Sequence, residues 1–295
     1  MIRVAQLTDL HWQTPPPLRS LLGKRLLGSA NLYLRGRKDH FRRDVQQAAV
    51  DAVAALNPDV LVVTGDLTAQ ALPDEFQLAR EALTPLLQRV PTLVQPGNHD
   101  VYTRGAAHDQ RMRAWFDPWM HLQPSGVGVL DHPGLRIIGL DPNRPTALAA
   151  SGVVPQAQLD ALPAILDATP SDSRILLALH YPIVDRRGAL YDGAGHGLRN
   201  AAALIKAMAR ATRTPDLIVH GHVHHGYAQH VHAGDARIPI YNPGSSGYAY
   251  MPDHHRAAAF NLYEIHADGG VRPRRFKFTG TTFEEEPGGA YASGR

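Results

Sequence analysis

Five short fragments of the chain carry Asp, Asn and His residues, and each follows a stretch predicted to form a β-strand. The fragments are Asp9-Leu10-His11, Gly65-Asp66, Gly97-Asn98-His99-Asp100, His180 and Gly221-His222-Val223-His224. In an open α/β sheet, functional side chains gather beyond the carboxyl ends of the strands. The placement of these fragments therefore predicts an α/β fold in which distant segments meet at one edge.

The fragments also share ligand atoms suited to metal ions. They supply carboxylate oxygen, amide oxygen and imidazole nitrogen, while the lack of cysteine excludes thiolate sulfur, disulfides and cysteine nucleophiles. This mixture suits hard or borderline divalent ions such as Mn²⁺, Fe²⁺, Co²⁺ or Zn²⁺. Two such ions held close together can bind a phosphoryl group and activate a water molecule. The fragments therefore indicate a two-metal site for the hydrolysis of phosphate esters.

Apolar runs and helical spacing alternate along most of the chain. Strands are predicted at residues 2–7, 60–63, 92–95, 136–140, 174–179 and 216–220, and helices at 39–56, 74–89, 105–120, 155–168 and 198–211. Further strands are predicted at 227–232, 237–241, 257–265 and 271–278, where β spacing and turn residues prevail. We see no linker and no internal repeat. We therefore expect one domain over residues 1–283 and a disordered tail over residues 284–295.

The overall composition limits the class of protein and of substrate. Hydrophobic residues make up 44% of the chain and charged residues 19%, which allows a sizeable core. No run of about 18 apolar residues occurs, so no transmembrane helix is expected. The first predicted strand leads almost directly into Asp9, so we expect no signal peptide ahead of the site and a cytoplasmic location. The net charge of +3 favours an anionic substrate.

Local spacing indicates which side chains share the site. Asp9 and His11 are two residues apart, as are His222 and His224, so each pair points the same way if its backbone is extended. A glycine precedes Asp66, as it does Asn98 and His222, and allows the backbone to approach a metal closely. The two other histidines beside these fragments are interpreted differently: His220 as a core or supporting histidine, and His225 as an exposed or supporting one.

Taken together, these fragments resemble the calcineurin-like metallophosphoesterase superfamily. The family pattern is D-x-H, G-D, G-N-H-[D/E], H and G-H-x-H, and every element is present in family order. The resemblance covers residues 2–247 and includes Asn242-Pro243-Gly244-Ser245. It points to the branch of bacterial phosphodiesterases and UDP-acylglucosamine pyrophosphatases. It implies an α/β fold built as a two-sheet β sandwich flanked by helices, with the dimetal site at the strand ends.

The resemblance also implies a role for each site residue. One ion would be held by Asp9, His11 and His224, and the other by Asn98, His180 and His222. Asp66 would bridge two divalent ions, with Mn²⁺ preferred and Fe²⁺, Zn²⁺ or Co²⁺ as alternatives. A hydroxide between the ions would attack phosphorus. His99 would donate a proton to, or stabilise, the leaving group, and Asp100 would steady His99.

The motifs define the reaction but leave the substrate open. The candidates are a 3′,5′-cyclic nucleotide and an acylated UDP-sugar of the UDP-2,3-diacylglucosamine type. A basic, leucine-rich insertion near residues 15–41 borders the first fragment. Residues 18–43 are expected either to contact lipid, as a substrate lid or at the inner face of the membrane, or to pack their leucines on the domain.

A second stretch is a candidate wall for the substrate. Arg186, Arg187, Arg199 and Asn200 border a glycine-containing segment that leads into the predicted helix at 198–211, and arginines there can pair bidentately with phosphate. The alternative is an ordinary solvated loop. His254 and His255 are interpreted as surface residues. Three aromatic residues in the predicted helix at 105–120 are interpreted as core: Trp115, Phe116 and Trp119.

Two other classes of function remain open. A nuclease on the same fold would need a broad basic groove with spaced aromatic residues, whereas the basic charge here is densest in the leucine-rich stretch. A non-catalytic binding scaffold would be favoured by lost ligands, and none is lost. We therefore expect the partner to be a small anionic phosphoester. Nucleic acid is a less favoured partner, and no obligate protein partner is expected.

Overall fold

The computed structural model describes residues 1–17, 37–144, 150–191 and 195–292. Its strands are β1 (Ile2–Leu7), β2 (Val60–Val63), β3 (Thr92–Val94), β4 (Gly128–His132), β5 (Leu135–Gly139), β6 (Arg174–Ala178), β7 (Leu217–Val219), β8 (Tyr227–Ala233), β9 (Ala236–Asn242), β10 (Ala259–Ile265), β11 (Val271–Phe278) and β12 (Phe283–Glu285). Its α-helices are α1 (Arg43–Ala55), α2 (Pro73–Leu87), α3 (Arg104–His108), α4 (Arg111–Met120), α5 (Gln156–Asp167) and α6 (Ala201–Ala209). Short 3₁₀ turns cover Arg37–His40 and Pro252–His254.

Within the described residues the strands form two mixed sheets of six. The first has the order β12-β11-β10-β1-β2-β3, and the second has the order β4-β5-β6-β7-β9-β8. Strands β1, β2 and β3 run parallel, as do β5, β6, β7 and β9. In each sheet, therefore, the carboxyl ends of the parallel strands lie along one edge, and the loops that follow them meet there.

Alternate side chains of the parallel strands enter two different layers of the core. Val4, Val60 and Val62 face the layer between the sheets, together with Ile137 and Leu176 of the second sheet. The intervening residues of the first sheet pack against α1 to α4, and those of the second pack against α5 and α6. Because both faces of these strands are buried, their sequences are continuous apolar runs.

The predicted fold class, a two-sheet sandwich flanked by helices, is confirmed. Strand β4 was not predicted, because the run Gly128–His132 is only partly apolar and pairs as the edge strand of a hairpin with β5. The helix predicted at 105–120 is two helices, since Gln110 adopts a left-handed conformation (φ 48°) between them. Phe116 is buried in the core and Trp115 and Trp119 pack against it, as predicted.

The chain after Glu284 differs from the prediction of a disordered tail. Residues Phe283–Glu285 form β12 on the edge of the first sheet. Glu286 is then buried and accepts hydrogen bonds from Arg275 and from the backbone of Tyr291. The acidic run thus has specific partners, which composition alone did not reveal.

Part of the leucine-rich insertion, residues 18–36, lies outside the described residues. Its role as lid, membrane contact or structural segment stays a prediction. Every helix among the described residues is too short or too polar to cross a bilayer.

Candidate metal centre

The loops after β1 and β2 continue side by side beyond the sheet. The backbone amide of Asp9 donates to Gly65 (2.9 Å), and that of His11 donates to Asp66 (2.9 Å). Trp12 then donates to Leu67 (2.8 Å). These bonds hold the two ligand-bearing loops together, so the side chains of Asp9, His11 and Asp66 lie close to one another.

The backbone at the predicted ligands is not extended, contrary to the assumption behind the D-x-H and H-x-H spacing. Five of the residues have positive φ angles: Asp9 (51°), His11 (54°), Asp66 (53°), His222 (75°) and His224 (53°). Left-handed conformations are uncommon for residues with a side chain and cluster at functional sites. The paired side chains still converge, because the backbone turns at each of them.

The first group of ligand atoms surrounds Asp9. Its Oδ1 lies 3.1 Å from Nε2 of His224 and 3.8 Å from Nε2 of His11. The two imidazole nitrogens are 3.1 Å apart, and Nε2 of His11 is 3.6 Å from Oδ2 of Asp66. These four side chains all lie close enough to hold one ion.

The second group surrounds His180. Its Nε2 lies 3.1 Å from Oδ1 of Asn98, 3.3 Å from Nδ1 of His222 and 3.3 Å from Oδ2 of Asp66. Asp66 thus belongs to both groups through the same oxygen atom. The structure brings the seven side chains predicted as ligands together in two groups that share Asp66.

Hydrogen bonds outside the two groups fix the ligand atoms. Nδ1 of His180 donates to the carbonyl oxygen of Thr64 (2.7 Å), which turns Nε2 towards the second group. Oδ2 of Asp9 accepts from Thr8 Oγ1 (2.7 Å) and from the amide of His222 (2.9 Å), so Oδ1 faces the first group. The amide of His99 binds Oδ1 of Asp66 (2.7 Å) and leaves Oδ2 for both groups.

The donor set and its spacing fit two divalent ions. Nitrogen and oxygen ligands bind such ions at about 2.0–2.2 Å, which places neighbouring ligands of one ion about 3.0–3.4 Å apart. The shortest separations in both groups, 3.1 to 3.3 Å, are of this size. The side chains of Asp9, Asp66 and His180 are fully or almost fully buried. The donor set, spacing and burial of this cluster together support a dimetal centre.

The electrostatics of the site favour charged carboxylates. Burial would raise the pKa of Asp9, but the hydrogen bond and charge of His224 outweigh it and lower the pKa to about 2. Burial also opposes ionisation of Asp66, yet the charges of His180 and His99 hold its pKa well below the usual value. Burial lowers the pKa values of His11 and His222, which keeps these imidazoles neutral and able to bind metal.

Glycines allow the loops to approach one another this closely. A Cβ atom on Gly65 would overlap the backbone of Gly97, and one on Gly97 would overlap the amide and carboxylate of Asp66. A Cβ on Gly221 would overlap Thr8 Oγ1 and Asp9 Oδ2. The glycines that precede the ligands are therefore required for packing around the site.

Asp100 does not have the role predicted for it. Its carboxylate accepts hydrogen bonds from the amides of Gly97 (2.8 Å), Leu67 (3.2 Å) and Thr68 (2.9 Å), and from the Thr68 hydroxyl. Burial and the charge of Asp66 raise its pKa to about 7. Nδ1 of His99 instead donates to the carbonyl oxygen of Ala69 (2.6 Å). Asp100 therefore joins the loops after β2 and β3, and a backbone carbonyl orients His99.

The sequence model of the calcineurin-like phosphoesterases matches residues 2–226, three quarters of the chain. The chain belongs to this family. A probable glycerophosphodiester phosphodiesterase GpdQ from Arcobacter nitrofigilis is 30% identical over 155 residues, covering 51% of this chain and 53% of that protein. A probable cyclic nucleotide phosphodiesterase from Rhodococcus erythropolis is 32% identical over 137 residues, covering 43% and 40%. The chain thus spans about half the length of these relatives.

Solved structures with the same fold include two enzymes of low identity. Purple acid phosphatase PPD1 from yellow lupin seeds has a TM-score of 0.57 and 13% identity, with 96% of this chain and 52% of that chain covered. Sulfate thiohydrolase SoxB from Thermus thermophilus has a TM-score of 0.53 and 14% identity, with 96% and 58% covered. At such identities the likeness concerns the fold alone.

Sequence reasoning missed an aromatic wall beside the first ligand group of this phosphoesterase. The ring of Phe41 lies 4.4 Å from that of His11 and 5.5 Å from that of His224, centroid to centroid. The backbones of Phe41 and Tyr248 form a β-bridge, and Tyr248 Oη lies 3.2 Å from Nδ1 of His40. With neighbouring residues they line a cleft of about 530 Å³ that includes His224. The only signal was an aromatic residue shortly after Asn242-Pro243-Gly244-Ser245.

A larger cleft of about 1050 Å³ also includes His224. Its lining includes Arg186, Arg187 and Arg256. His225 lies in the same cleft; burial first, and then the charges of Arg186 and Arg256, lower its pKa. His225 is exposed, as predicted, and His254 and His255 also line the cleft as exposed residues.

The remaining polar residues singled out in the sequence have different roles in the structure. His220 is fully buried, and burial lowers its pKa to about 4, in agreement with its interpretation as a core histidine. The side chain of Asn200 accepts a hydrogen bond from the amide of Val154 (3.0 Å) and donates one to its carbonyl oxygen (2.9 Å). Asn200 therefore has a structural role at the start of α6. Arg199 is exposed beside it, and its role in substrate binding stays a prediction.

Proposed function

We propose that this phosphoesterase is a dimetal-dependent hydrolase of phosphodiester bonds in small anionic substrates. The observation that carries the proposal is the shared Oδ2 of Asp66, which lies 3.6 Å from Nε2 of His11 and 3.3 Å from Nε2 of His180. One carboxylate oxygen between two sets of nitrogen and oxygen ligands is the arrangement required by a pair of ions that hold one phosphoryl group.

The names of the relatives favour diesters among the substrates considered. One relative is named for glycerophosphodiesters and another for cyclic nucleotides. We therefore place a 3′,5′-cyclic nucleotide or a glycerophosphodiester ahead of an acylated UDP-sugar. We further propose that Mn²⁺ is the working ion and that the protein acts in the cytoplasm.

The chain itself orients the ligands and supplies the proton donor. When bound, two divalent ions would polarise the phosphoryl group and lower the pKa of a water molecule from about 15.7 towards about 7. The ring of His99 lies 4.7 Å from that of His11, edge to face, and stacks 5.4 Å from that of Tyr102. Its Nδ1 is engaged by Ala69, so Nε2 is the atom that would protonate the leaving oxygen.

Metal removal and a matched pair of aspartate variants test this function. We expect the purified protein to bind two Mn²⁺ ions per chain and to hydrolyse bis(p-nitrophenyl) phosphate, with activity lost on chelation and restored by Mn²⁺. Asp66→Ala is expected to lose at least about a hundredfold in kcat and to hold fewer ions by elemental analysis. The control is Asp44→Ala, which removes an exposed carboxylate paired with Arg42.

The same assay ranks the substrates. Initial rates would be compared for 3′,5′-cyclic AMP, a glycerophosphodiester and UDP-2,3-diacylglucosamine, with Asn98→Ala as a background control. Full activity in Asp66→Ala or in the chelated protein would disprove the dimetal mechanism. Cleavage of the acylated UDP-sugar alone would disprove the preference for diesters.

A further inference from the structure

The large cleft beside His224 is lined by several cationic side chains. Arg186, Arg187 and Arg256 all line it, and its volume is about 1050 Å³. His224 also lines it and belongs to the first ligand group, with Nε2 only 3.1 Å from Oδ1 of Asp9. The cleft is therefore continuous with the candidate metal centre rather than a separate surface feature.

The other cations of the same cleft have ion-pair partners, whereas among the described residues these three arginines have none. Arg275 and Lys277 pair with Glu286 at 3.3 and 3.8 Å, so their charge is largely compensated within the protein. In the described part of the chain, no carboxylate lies within ion-pair distance of Arg186, Arg187 or Arg256. Like charges gathered without a counterion repel one another, and an anionic ligand would relieve that repulsion.

The loop that carries Arg186 and Arg187 is well supported by hydrogen bonds. Val184 and Leu190 form a β-bridge across its base. The carboxylate of Asp185 accepts from the amides of Arg187 (2.8 Å) and Ala189 (3.0 Å). Nε2 of Gln229, on β8, donates to the carbonyl oxygen of Arg186 (2.9 Å). The two guanidinium groups thus extend from a fixed backbone, which reduces the entropy lost on binding.

Arg256 lies in a different segment of the chain, shortly before β10. A β-bridge between Met251 and Arg256 closes the turn that precedes β10. The guanidinium carbon lies 5.3 Å from the centre of the Tyr248 ring, in cation–π contact with the aromatic wall next to the metal centre. Arg256 also lines the smaller cleft that contains Phe41 and His224. Arg256 and the candidate metal ligand His224 therefore both line the two clefts.

We propose that Arg186 and Arg256, with Arg187, form a subsite for a second phosphate group of the substrate. The proposal rests on the proposed function, in which the first phosphate is held at the metal centre. Guanidinium groups pair with phosphate oxygens through two parallel hydrogen bonds, and several arginines around one space suit a multiply charged group. Among the small diesters of the proposed function, the preferred substrate would thus carry a further phosphate group beside the diester. A nucleoside diphosphate, which offers two phosphates, serves as the probe for this subsite.

Adenosine diphosphate and adenosine monophosphate are matched probes for this subsite. Their dissociation constants would be measured by calorimetry on the Mn²⁺-loaded full chain, for the parent and for Arg186→Gln, Arg256→Gln and the double variant. We expect each single variant to weaken adenosine diphosphate about tenfold and adenosine monophosphate less than about twofold. Arg113→Gln, which removes an exposed arginine paired with Asp117 on α4, is the matched control for net charge.

The outcomes separate the subsite from the proposed function. Equal weakening of both nucleotides, or no change in either, would overturn the subsite. Diester hydrolysis by the parent together with an unchanged preference between the nucleotides would leave the proposed function and remove the subsite. Arginine-dependent discrimination in a parent that hydrolyses no diester would support the subsite and contradict the proposed function. Circular dichroism would establish that the variants fold, and the arginines are exposed enough for this to be expected.

Discussion

Left-handed backbone at the ligand residues carries an energetic cost that the surrounding loops must offset. Asp9, Asp66 and His222 have φ angles of 51°, 53° and 75°, and each such residue costs about 1–3 kcal/mol. The hydrogen bonds of Asp9 to Gly65 and of Asp9 Oδ2 to the amide of His222 hold this geometry. The cost of the left-handed backbone is therefore offset by contacts within the loops themselves.

The two hydrogen bonds of Asn200 to Val154 indicate a structural role rather than a contact with substrate. Asn200→Ala is expected to lower the free energy of unfolding by about 1–3 kcal/mol, because Val154 would keep a buried amide and carbonyl without partners. The KM for a diester substrate should stay unchanged. Chemical denaturation and steady-state kinetics measure the two effects, with exposed Arg199→Ala as the neighbouring control. A raised KM with unaltered stability would restore the substrate-binding interpretation.

The loops after β2 and β3 behave as one packed unit around Asp66. Gly97 lies against the amide and carboxylate of Asp66, while Asp100 binds the amides of Gly97 and Thr68. A change in either loop is therefore transmitted to the bridging carboxylate.

Gly97→Ala tests this packing against a glycine in open space. The added methyl group would overlap Asp66, and we expect a loss of about 1–3 kcal/mol in stability together with weaker Mn²⁺ binding. Gly195→Ala is the control, because a Cβ there meets nothing within 4 Å. Thermal unfolding and metal titration give both quantities. Equal behaviour of the two variants would show that the loops adjust without strain.

The sequence predicted those parts of the fold and site that depend on local patterns. Buried parallel strands such as Val60–Val63 are apolar runs, and the ligands follow them directly, so both were found. The left-handed turns at Asp9 and His11 were not, since they depend on hydrogen bonds to the loop after β2. The partners of Asp100 and the contact of Phe41 with His11 also form between distant segments, and no local spacing encodes them.

At the scale of the whole molecule, the end of the described chain packs beside the candidate active site. Arg275 donates from Nε to the carbonyl oxygen of Pro243 (2.9 Å) and pairs with buried Glu286 (3.3 Å). Tyr291 hydrogen-bonds to Asn261, which binds Tyr263, which in turn donates to Gln6 on β1. The residues after β12 thus connect the sandwich interior to the loop that follows β9.

Removal of one carboxylate in this region should therefore destabilise the whole fold. Glu286→Ala leaves the guanidinium of Arg275 buried without its counterion, and we expect a loss of about 3 kcal/mol in the free energy of unfolding. Glu284→Ala removes an exposed carboxylate two residues earlier and should change stability by less than about 0.5 kcal/mol. Urea denaturation monitored by tryptophan fluorescence measures both. A neutral Glu286→Ala would show that Pro243 alone suffices for Arg275.

The central position of β1 has a consequence for how the protein is made. Strand β1 pairs with β2 on one side and with β10 on the other, and the amide of Thr8 binds Ser246 Oγ across 238 residues of sequence. During synthesis, Asp9 and His11 leave the ribosome long before β10 and His224 exist. The emerging chain therefore carries Asp9 and His11 without the strand that completes their sheet, and the first ligand group can assemble only after His224 and β10 have been made.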